Sequence, residues 1–382
     1  MDARGNIGLS IIRSLGSKDI EVVAGDSFCF TTGSLSKYCA DSLIYPSPEK
    51  DMEKFQKFIL NEVKKKNYDL LIPVYEYSVI PISLIKEKLE NYTKVAVESF
   101  DKLDKTLDKS KTVKIAERCG VPFPGTIIVE DVNNIKTLSR EIKFPVVIKP
   151  RRKVFFVGKS MKIARITREN YVWNPKKLVS TYLKIASRLT ELPMLQEYVH
   201  GDGYGVEMLI NDGEEKAIFA HRRLREYPAS GGASCLRESI VDKDKFSKAR
   251  KIMKALEWNG VAMIEFRDDK FIEVNGRFWG SLALAIRAGL DFPYLLYEME
   301  MNRKTDSVLK YRLGVKQRAL FPMDIMWFLE TGKVFEFLKS FSIHDDILSL
   351  TDPLPTIGAI REIAHLFLEL ITRKKTMTGE SV

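Results

Sequence analysis

Two short apolar segments, Val261 to Arg267 and Phe271 to Arg277, carry polar residues at spacings that suit metal and phosphate chemistry. The first holds Glu265; the second holds Glu273, Asn275 and Arg277, each two residues from the next. Side chains alternate along a strand, so Glu273, Asn275 and Arg277 point to one face. A carboxylate, an amide oxygen and a cation on one face suit Mg²⁺ bridging nucleotide phosphates, with the arginine on the charge that moves. Whether Glu265 joins them depends on the turn. A three-residue turn, Asp268-Asp269-Lys270, sets Glu265 opposite Glu273, whereas a two-residue turn sends it to the other face. Taken alone, the pattern also describes an ordinary antiparallel hairpin with one wet face.

Other residues could serve the same chemistry. Lys149 ends an apolar strand, Phe144 to Pro150, where an ammonium is costly to bury without an anion beside it. It either snorkels from the strand end or binds phosphate. Lys109 lies in a helical stretch from Ser99 to Gly120. Met194 to Val199 reads as a strand containing Gln196, Glu197 and Tyr198, and Val206 to Ile210 as a second strand with Glu207 inside it. A strand from Lys216 to His221 then enters a loop that is first basic (Arg222, Arg223, Arg225) and then glycine-rich, Ser230-Gly231-Gly232-Ala233-Ser234. Such a loop can wrap an anion with its backbone N–H groups or serve as a linker.

Those segments need a scaffold, and the chain is long enough for two or three domains with substantial cores. The first part reads as a parallel α/β unit over residues 1–98, with strands at Ile20 to Ala24, Asp69 to Val74 and Lys94 to Val97. Asp2 to Gly8 forms a turn into a helix, Leu9 to Leu15. A buried strand normally precedes such a turn, so either a first strand is missing or the domain does without one. Gly5-Asn6-Ile7-Gly8 lacks the full GxGxxG, and NAD is not expected. Helices are expected at 132–142, 173–192, 243–257 and 281–288. The last amphipathic helix, Ala359 to Thr372, reads as a packed element ahead of a solvated Arg373-Lys374-Lys375 tail.

Composition narrows the function. No run spans a membrane and no signal peptide opens the chain. The four cysteines form no CxxC pair, which argues against zinc and disulfides and fits a cytoplasmic protein. The net charge of +10 comes in large part from lysine-rich, solvated helix faces such as Lys64-Lys65-Lys66, and it would also attract an anionic substrate such as ATP. The basic residues are dispersed, so nucleic acid is not expected.

Lys109, Lys149, Gln196 to Val199, the Gly-Gly loop, Glu265 and Glu273-Val274-Asn275-Gly276-Arg277, in that order, resemble the ATP-grasp superfamily. The likeness covers residues 1 to about 290 and is nearest the branch of carbamoyl-phosphate synthase and carboxylate–amine ligases. It implies an α/β and α+β architecture. A domain over 1–98 precedes an ATP-grasp fold of two α+β subdomains, a lid (99–192) and a core (193–290), with a mostly helical extension (291–382). The resemblance further implies that Lys109 and Lys149 hold the ATP phosphates and that Glu197 bonds the ribose. Tyr198 and Val199 would read adenine through their backbone, with Glu207 counted in the nucleotide site. Glu265, Glu273 and Asn275 would ligate Mg²⁺, with Mn²⁺ as the alternative, and Arg277 would stabilise the transferring phosphoryl group. Arg223, Arg225, Ser230, Gly231 and Gly232 fall on the substrate side.

Two departures stand out. Gly276 replaces the family's usual proline. The flap after Lys149, Arg151 to Ser160, has a single glycine, so phosphate cover is expected from Lys159, Ser160 or arginines. The implied activity is an ATP-dependent carboxylate–amine ligase, with small-molecule substrates and a homodimer as the assembly to test. The alternatives are a bicarbonate-activating enzyme and a nucleotide-binding protein without turnover.

Overall fold

The structure is a computed structural model and describes residues 1–229, 231–301 and 306–377. Helix α1 (Gly5–Gly16) is apolar nearly all round and buries Ile7, Leu9, Ile11, Ile12 and Leu15. Strand β1 (Val23–Asp26) pairs in parallel with β2 (Asp41–Ile44), and β3 (Leu70–Leu71) with β4 (Lys94–Val95). The expected parallel unit is therefore built as two pairs rather than one sheet. A cleft of about 650 Å³ lies between them, lined by residues of β1, β3 and α1. The first three residues bridge it: the Met1 amine donates to Ile72 O at 2.8 Å and Ala3 N–H to Gly25 O at 3.1 Å.

The single helix expected over Ser99 to Gly120 is two helices, Phe100–Leu107 and Lys109–Arg118. Asp108 separates them in an extended conformation and caps the second by accepting from Ser110 N–H. Next come β5 (Thr126–Ile127), β6 (Val146–Lys149), β7 (Val154–Val157), β8 (Ser160–Ile163), β9 (Tyr171–Val172) and β10 (Met194–Glu197). Four of them form an antiparallel sheet in the order β5-β10-β6-β9, while β7 and β8 form a separate hairpin. The small sheet thus takes in β10, which lies beyond residue 192.

The large sheet contains β11 (Gly203–Asn211), β12 (Glu214–Tyr227), β13 (Ala233–Ile240), β14 (Gly260–Arg267), β15 (Lys270–Asn275) and β16 (Lys316–Arg318). Its order is β15-β14-β11-β12-β13-β16, antiparallel throughout. One face presents Val206, Met208, Ile218 and Ile264 to the helix Lys243–Ala255, which buries Phe246, Ala249, Ile252 and Met253. Alternation then puts Glu207, His221, Arg223 and Glu265 on the opposite face. Arg222 to Arg225 lie on β12, not in a loop, because that strand continues to Tyr227. The C-terminal helix, Leu354–Met377, returns to α1.

Candidate functional site

The β14–β15 hairpin has a two-residue turn, Asp268-Asp269, with Arg267 paired to Lys270 and Phe266 to Phe271. That turn alone would put Glu265 opposite Ile272, on the far face. A β-bulge follows at once, so Glu265 pairs with Glu273 and regains the face of Glu273 and Asn275. The contacts follow from this register. Asn275 Nδ2 donates to Glu265 Oε1 at 3.1 Å and to Glu273 Oε1 at 3.4 Å, and Asn275 Oδ1 accepts from Arg277 Nη2 at 3.0 Å.

Cations arrive from three other elements. Lys109 Nζ lies 3.2 Å from Glu273 Oε2. Its helix start is tied to the end of β6, since Lys109 N–H donates to Arg151 O at 2.9 Å and Arg151 pairs with Asp108 at 2.6 Å. Arg223 Nη2, from β12, lies 2.7 Å from Glu265 Oε2. Lys149 ends β6 within the field of Glu273 and Glu265. Burial pushes its ammonium down to about 8; Lys109 and Arg267 add to the shift, and Glu273 and Glu265 oppose it. Burial works against the Glu273 carboxylate too, yet Lys109, Lys149 and Lys153 prevail and hold it at about 2.

Two participants were not read from the sequence as site residues. Glu76 opens a helix that follows β3, and its Oε1 lies 2.7 Å from Arg277 Nη2 and 3.0 Å from Lys153 Nζ. Burial opposes its charge, but Arg277 and Lys153 hold it far below the usual carboxylate range. A lone acidic residue at a helix start is too common a pattern to single out. Of the flap residues it is Lys153, and not Lys159, Ser160 or the arginines from which phosphate cover was expected, that reaches this cluster. The tip of the β7–β8 hairpin instead rests on the first unit: Lys159 pairs with Glu53 at 3.0 Å and Ser160 Oγ donates to Lys50 O at 3.1 Å. The flap arginines are also taken, Arg151 by Asp108 and Arg152 by Asp104.

Other expected residues lie apart from this cluster. Glu197 Oε2 accepts from Gly125 N–H and Lys270 Nζ, both at 3.2 Å, and Tyr198 N–H donates to Pro145 O at 2.9 Å, with Val199 next in the chain. Glu207 is fully buried, and its Oε1 takes His221 Nδ1 at 2.7 Å and Ser281 Oγ at 3.0 Å. It therefore braces the segment after Arg277 and is not among the residues gathered with Lys109 and Lys149. Arg225 is separated from Arg223 by bulges and turns to the C-terminal region, bonding Asp324 and Ser340 and lying over Trp327. Of the glycine loop, Gly232 O accepts from Arg223 Nη1 at 3.1 Å and Gly231 approaches Arg267; Ser230 lies outside the described residues.

The arrangement sets Lys109, Lys149, Lys153, Arg223 and Arg277 around Glu76, Glu265 and Glu273, a positive excess suited to a polyanion. The central donors are two carboxylates and an amide, the oxygen chemistry a hard divalent cation prefers. Among the described residues no group of three or more His, Cys, Asp or Glu gathers as a metal site.

A family model described as ATP-grasp in the biosynthetic pathway with Ter operon matches residues 190–320, which contain β11 to β15. Over those residues the chain is similar to an ATP-grasp family. A biotin carboxylase from Campylobacter jejuni, solved as a β,γ-ATP complex, shares this ATP-grasp fold with a TM-score of 0.62 and 18% identity, over 82% of this chain and 72% of that one. N5-carboxyaminoimidazole synthetase from Staphylococcus aureus aligns with a TM-score of 0.63 and 14% identity, over 87% of this chain and 84% of that one. In sequence, the carbamoyl phosphate synthase large chain of Pyrococcus furiosus is 28% identical over 133 residues. That match takes in 34% of this chain and only 12% of the relative. Among the described residues no helix is long and apolar enough to cross a membrane.

Lys149 gives this cluster a pH signature. Its folded value of about 8 lies below the ordinary lysine value, so the unfolded chain binds more protons between about 8 and 10.5. The strain of burying the charged lysine is present at neutral pH and is relieved as pH rises through that window. Lys149→Met is therefore expected to raise the melting temperature at pH 7 while weakening Mg-ATP binding. In the wild type, calorimetric affinity for Mg-ATP should fall above pH 8 by up to about tenfold per pH unit, the limit for one linked proton. A flat profile from pH 7 to 9.5 would rule out a phosphate-binding role for Lys149.

Proposed function

We propose that this chain is an ATP-dependent ligase that activates a carboxylate as an acyl-phosphate and joins it to an amine. The observation that carries the reading is the convergence of Glu265, Glu273 and Asn275 with Lys109, Lys149 and Arg277. Lys109 and Lys149 hold the phosphates, and Arg277 faces the group in transfer. Glu265, Glu273 and Asn275 would hold Mg²⁺, with the Asn275 amide turned so that its oxygen replaces its N–H; N and O assignments follow from the surrounding bonds. The metal, when bound, draws charge from the phosphate oxygens. Glu197 marks the ribose end. Because Tyr198 N–H is already bonded to Pro145, the adenine edge falls to the Tyr198 carbonyl and to Val199.

The substrate carboxylate oxygen attacks the γ-phosphorus, the bond to the β-phosphate oxygen breaks, and ADP leaves. The amine nitrogen then attacks the acyl carbon, the C–O bond to phosphate breaks, and the amine proton passes to solvent. Phosphorylation is required because a free carboxylate repels nucleophiles and has no leaving group. Arg277 stabilises charge on the transferring phosphoryl group in a site fixed in advance by Glu76. Arg223, held by Glu265 and the Gly232 carbonyl, stands on the substrate side.

The experiment is ADP release from the purified chain with Mg²⁺ and ATP, across carboxylates with and without amines. Release that needs one carboxylate and one amine is the expected result. Release with bicarbonate alone would favour the second reading, a bicarbonate-activating enzyme, which the carbamoyl phosphate synthase relative makes worth an arm of its own. Mg-ATP binding without ADP release on any substrate would overturn both in favour of a nucleotide-binding role.

A further inference from the structure

The cleft of about 650 Å³ between the two parallel strand pairs is bounded by two strand edges. On the β1 side, Val22 and Asp26 accept from Ala40 and Tyr45 N–H, both at 2.9 Å, so Val23 and Gly25 turn their backbone groups toward the cleft. On the β3 side, Asp69 and Leu71 accept from Lys94 and Ala96 N–H at 3.1 and 3.0 Å, so Leu70 and Ile72 face the cleft from across it. Among the described residues no strand pairs with either edge. Two helices supply apolar walls: α1 gives Ile11, Ile12 and Leu15, and the helix Met52–Lys65 gives Ile59 and Val63. Two facing edges under apolar helices are the surroundings of a buried parallel strand.

The segment Met1 to Arg4 sets the direction of such a strand. Met1 N bonds Ile72 O, and the Asp2 carboxylate accepts from Val74 and Tyr75 N–H at 3.1 and 2.9 Å. On the other flank Ala3 N–H donates to Gly25 O and Arg4 N–H to Asp26 Oδ2, both at 3.1 Å. Residue numbers rise together on both flanks, so the segment runs parallel to β1 and β3. Traced backward from Met1, its line enters the cleft beside Leu70 and Val23. Burial pushes the Met1 amine below its ordinary value, against the charges of Asp2 and Asp26. An amide N–H in that place would keep the bond to Ile72 and bury no charge. Asp2 also accepts from Ser78 Oγ, so the same junction holds the turn that carries Glu76, the partner of Arg277.

We propose that the cleft seats an extended apolar strand of about five residues, parallel to β1 and β3 and joined directly to the Met1 nitrogen. Seated there, it bonds Val23 and Gly25 on one side and Leu70 and Ile72 on the other, and it merges the two strand pairs into one parallel sheet. The covalent source follows from the bonds of Met1 and Ala3, which already lie between the two edges and continue the line of the cleft. This seat does not depend on the ligase reading, and its test needs no turnover.

The test reads amide hydrogen exchange and melting temperature on the full chain. As the chain stands, Val23 and Leu70 N–H should exchange fast beside the bonded N–H groups of Lys94 and Ala96. An extension of about five residues joined to Met1, a lysine followed by valines and isoleucines, should slow both amides at least about tenfold and raise the melting temperature by about 5 °C. Prolines at its second and fourth positions remove N–H groups and should abolish both effects. A version with threonine at alternate positions guards against an insoluble apolar extension. The same peptide in trans, with both ends blocked, should protect the two amides only at millimolar concentration, because tethering supplies the local concentration. Equal protection by free peptide at micromolar concentration would give the cleft to a separate partner and overturn the covalent source. Val23 and Leu70 amides already protected in the chain as it stands, or left unprotected by the soluble extensions, would overturn the seat itself.

Discussion

Glu273→Ala is expected to lower Mg-ATP-dependent ADP release by about a thousandfold or more while leaving the chain folded. Glu273 stands between two kinds of partner: Lys109 on one oxygen and the Asn275 amide on the other. Its removal takes away a proposed metal donor and frees two lysines to repel each other. Lys149, already pushed down to about 8 by burial, loses its main opposing charge and is protonated less at neutral pH. Phosphate binding and metal binding fail together, so KM for ATP should rise and kcat should collapse. Turnover within tenfold of wild type would sink the metal assignment.

The same variant makes a signed stability prediction. Glu273 is held at about 2, below its unfolded value, so its stabilising contribution is complete above the ordinary carboxylate range and is lost as pH falls through the folded value. The difference in melting temperature between wild type and Glu273→Ala should hold steady from pH 5 to 7 and shrink toward pH 2. The loss at neutral pH should be about 1–3 kcal/mol, since the carboxylate is a quarter exposed and its partners can relax toward solvent.

The hairpin chemistry was legible because strands repeat every two residues, and Glu273, Asn275 and Arg277 needed no tertiary information. Glu265 was ambiguous for a definite reason. The turn has two residues, which taken alone misplaces it, and a bulge at Ile272 that no residue type announces restores it. Bulges also act on β12. Arg223 and Arg225 are two apart and should share a face, yet a register shift sends Arg223 to Glu265 and Arg225 to Asp324. The strand β13 went unread because its polar residues mimic a loop; fully buried Arg237 is tolerable there only through its ion pair with Asp346, 109 residues on. Glu76 was invisible for the same cause. It acts through contacts between distant segments, and local pattern carries nothing about them.

Gly276→Pro, which restores the residue the resemblance leads one to expect, should damage this protein. A Cβ at position 276 would fall 2.4 Å from Trp258 Cη2, 2.9 Å from Cζ2 and 3.0 Å from Thr106 Oγ1. Trp258 cannot easily give way: it is buried in the main core, and its Nε1 donates to Val261 O at 3.2 Å. Overpacking of this kind costs about 1–3 kcal/mol. The strain falls between Asn275 and Arg277, so both side chains must shift, and a displacement near 1 Å can cost about a hundredfold in rate. Gly276→Ala should show a milder form of both effects. The ring is tested by a double-mutant cycle with Trp258→Phe, read in melting temperature and ADP release. If the indole is the obstacle, the smaller ring should recover part of both losses, with a coupling of about 1 kcal/mol or more. Equal losses in the two backgrounds would mean that backbone conformation, not the indole, keeps a side chain out of position 276.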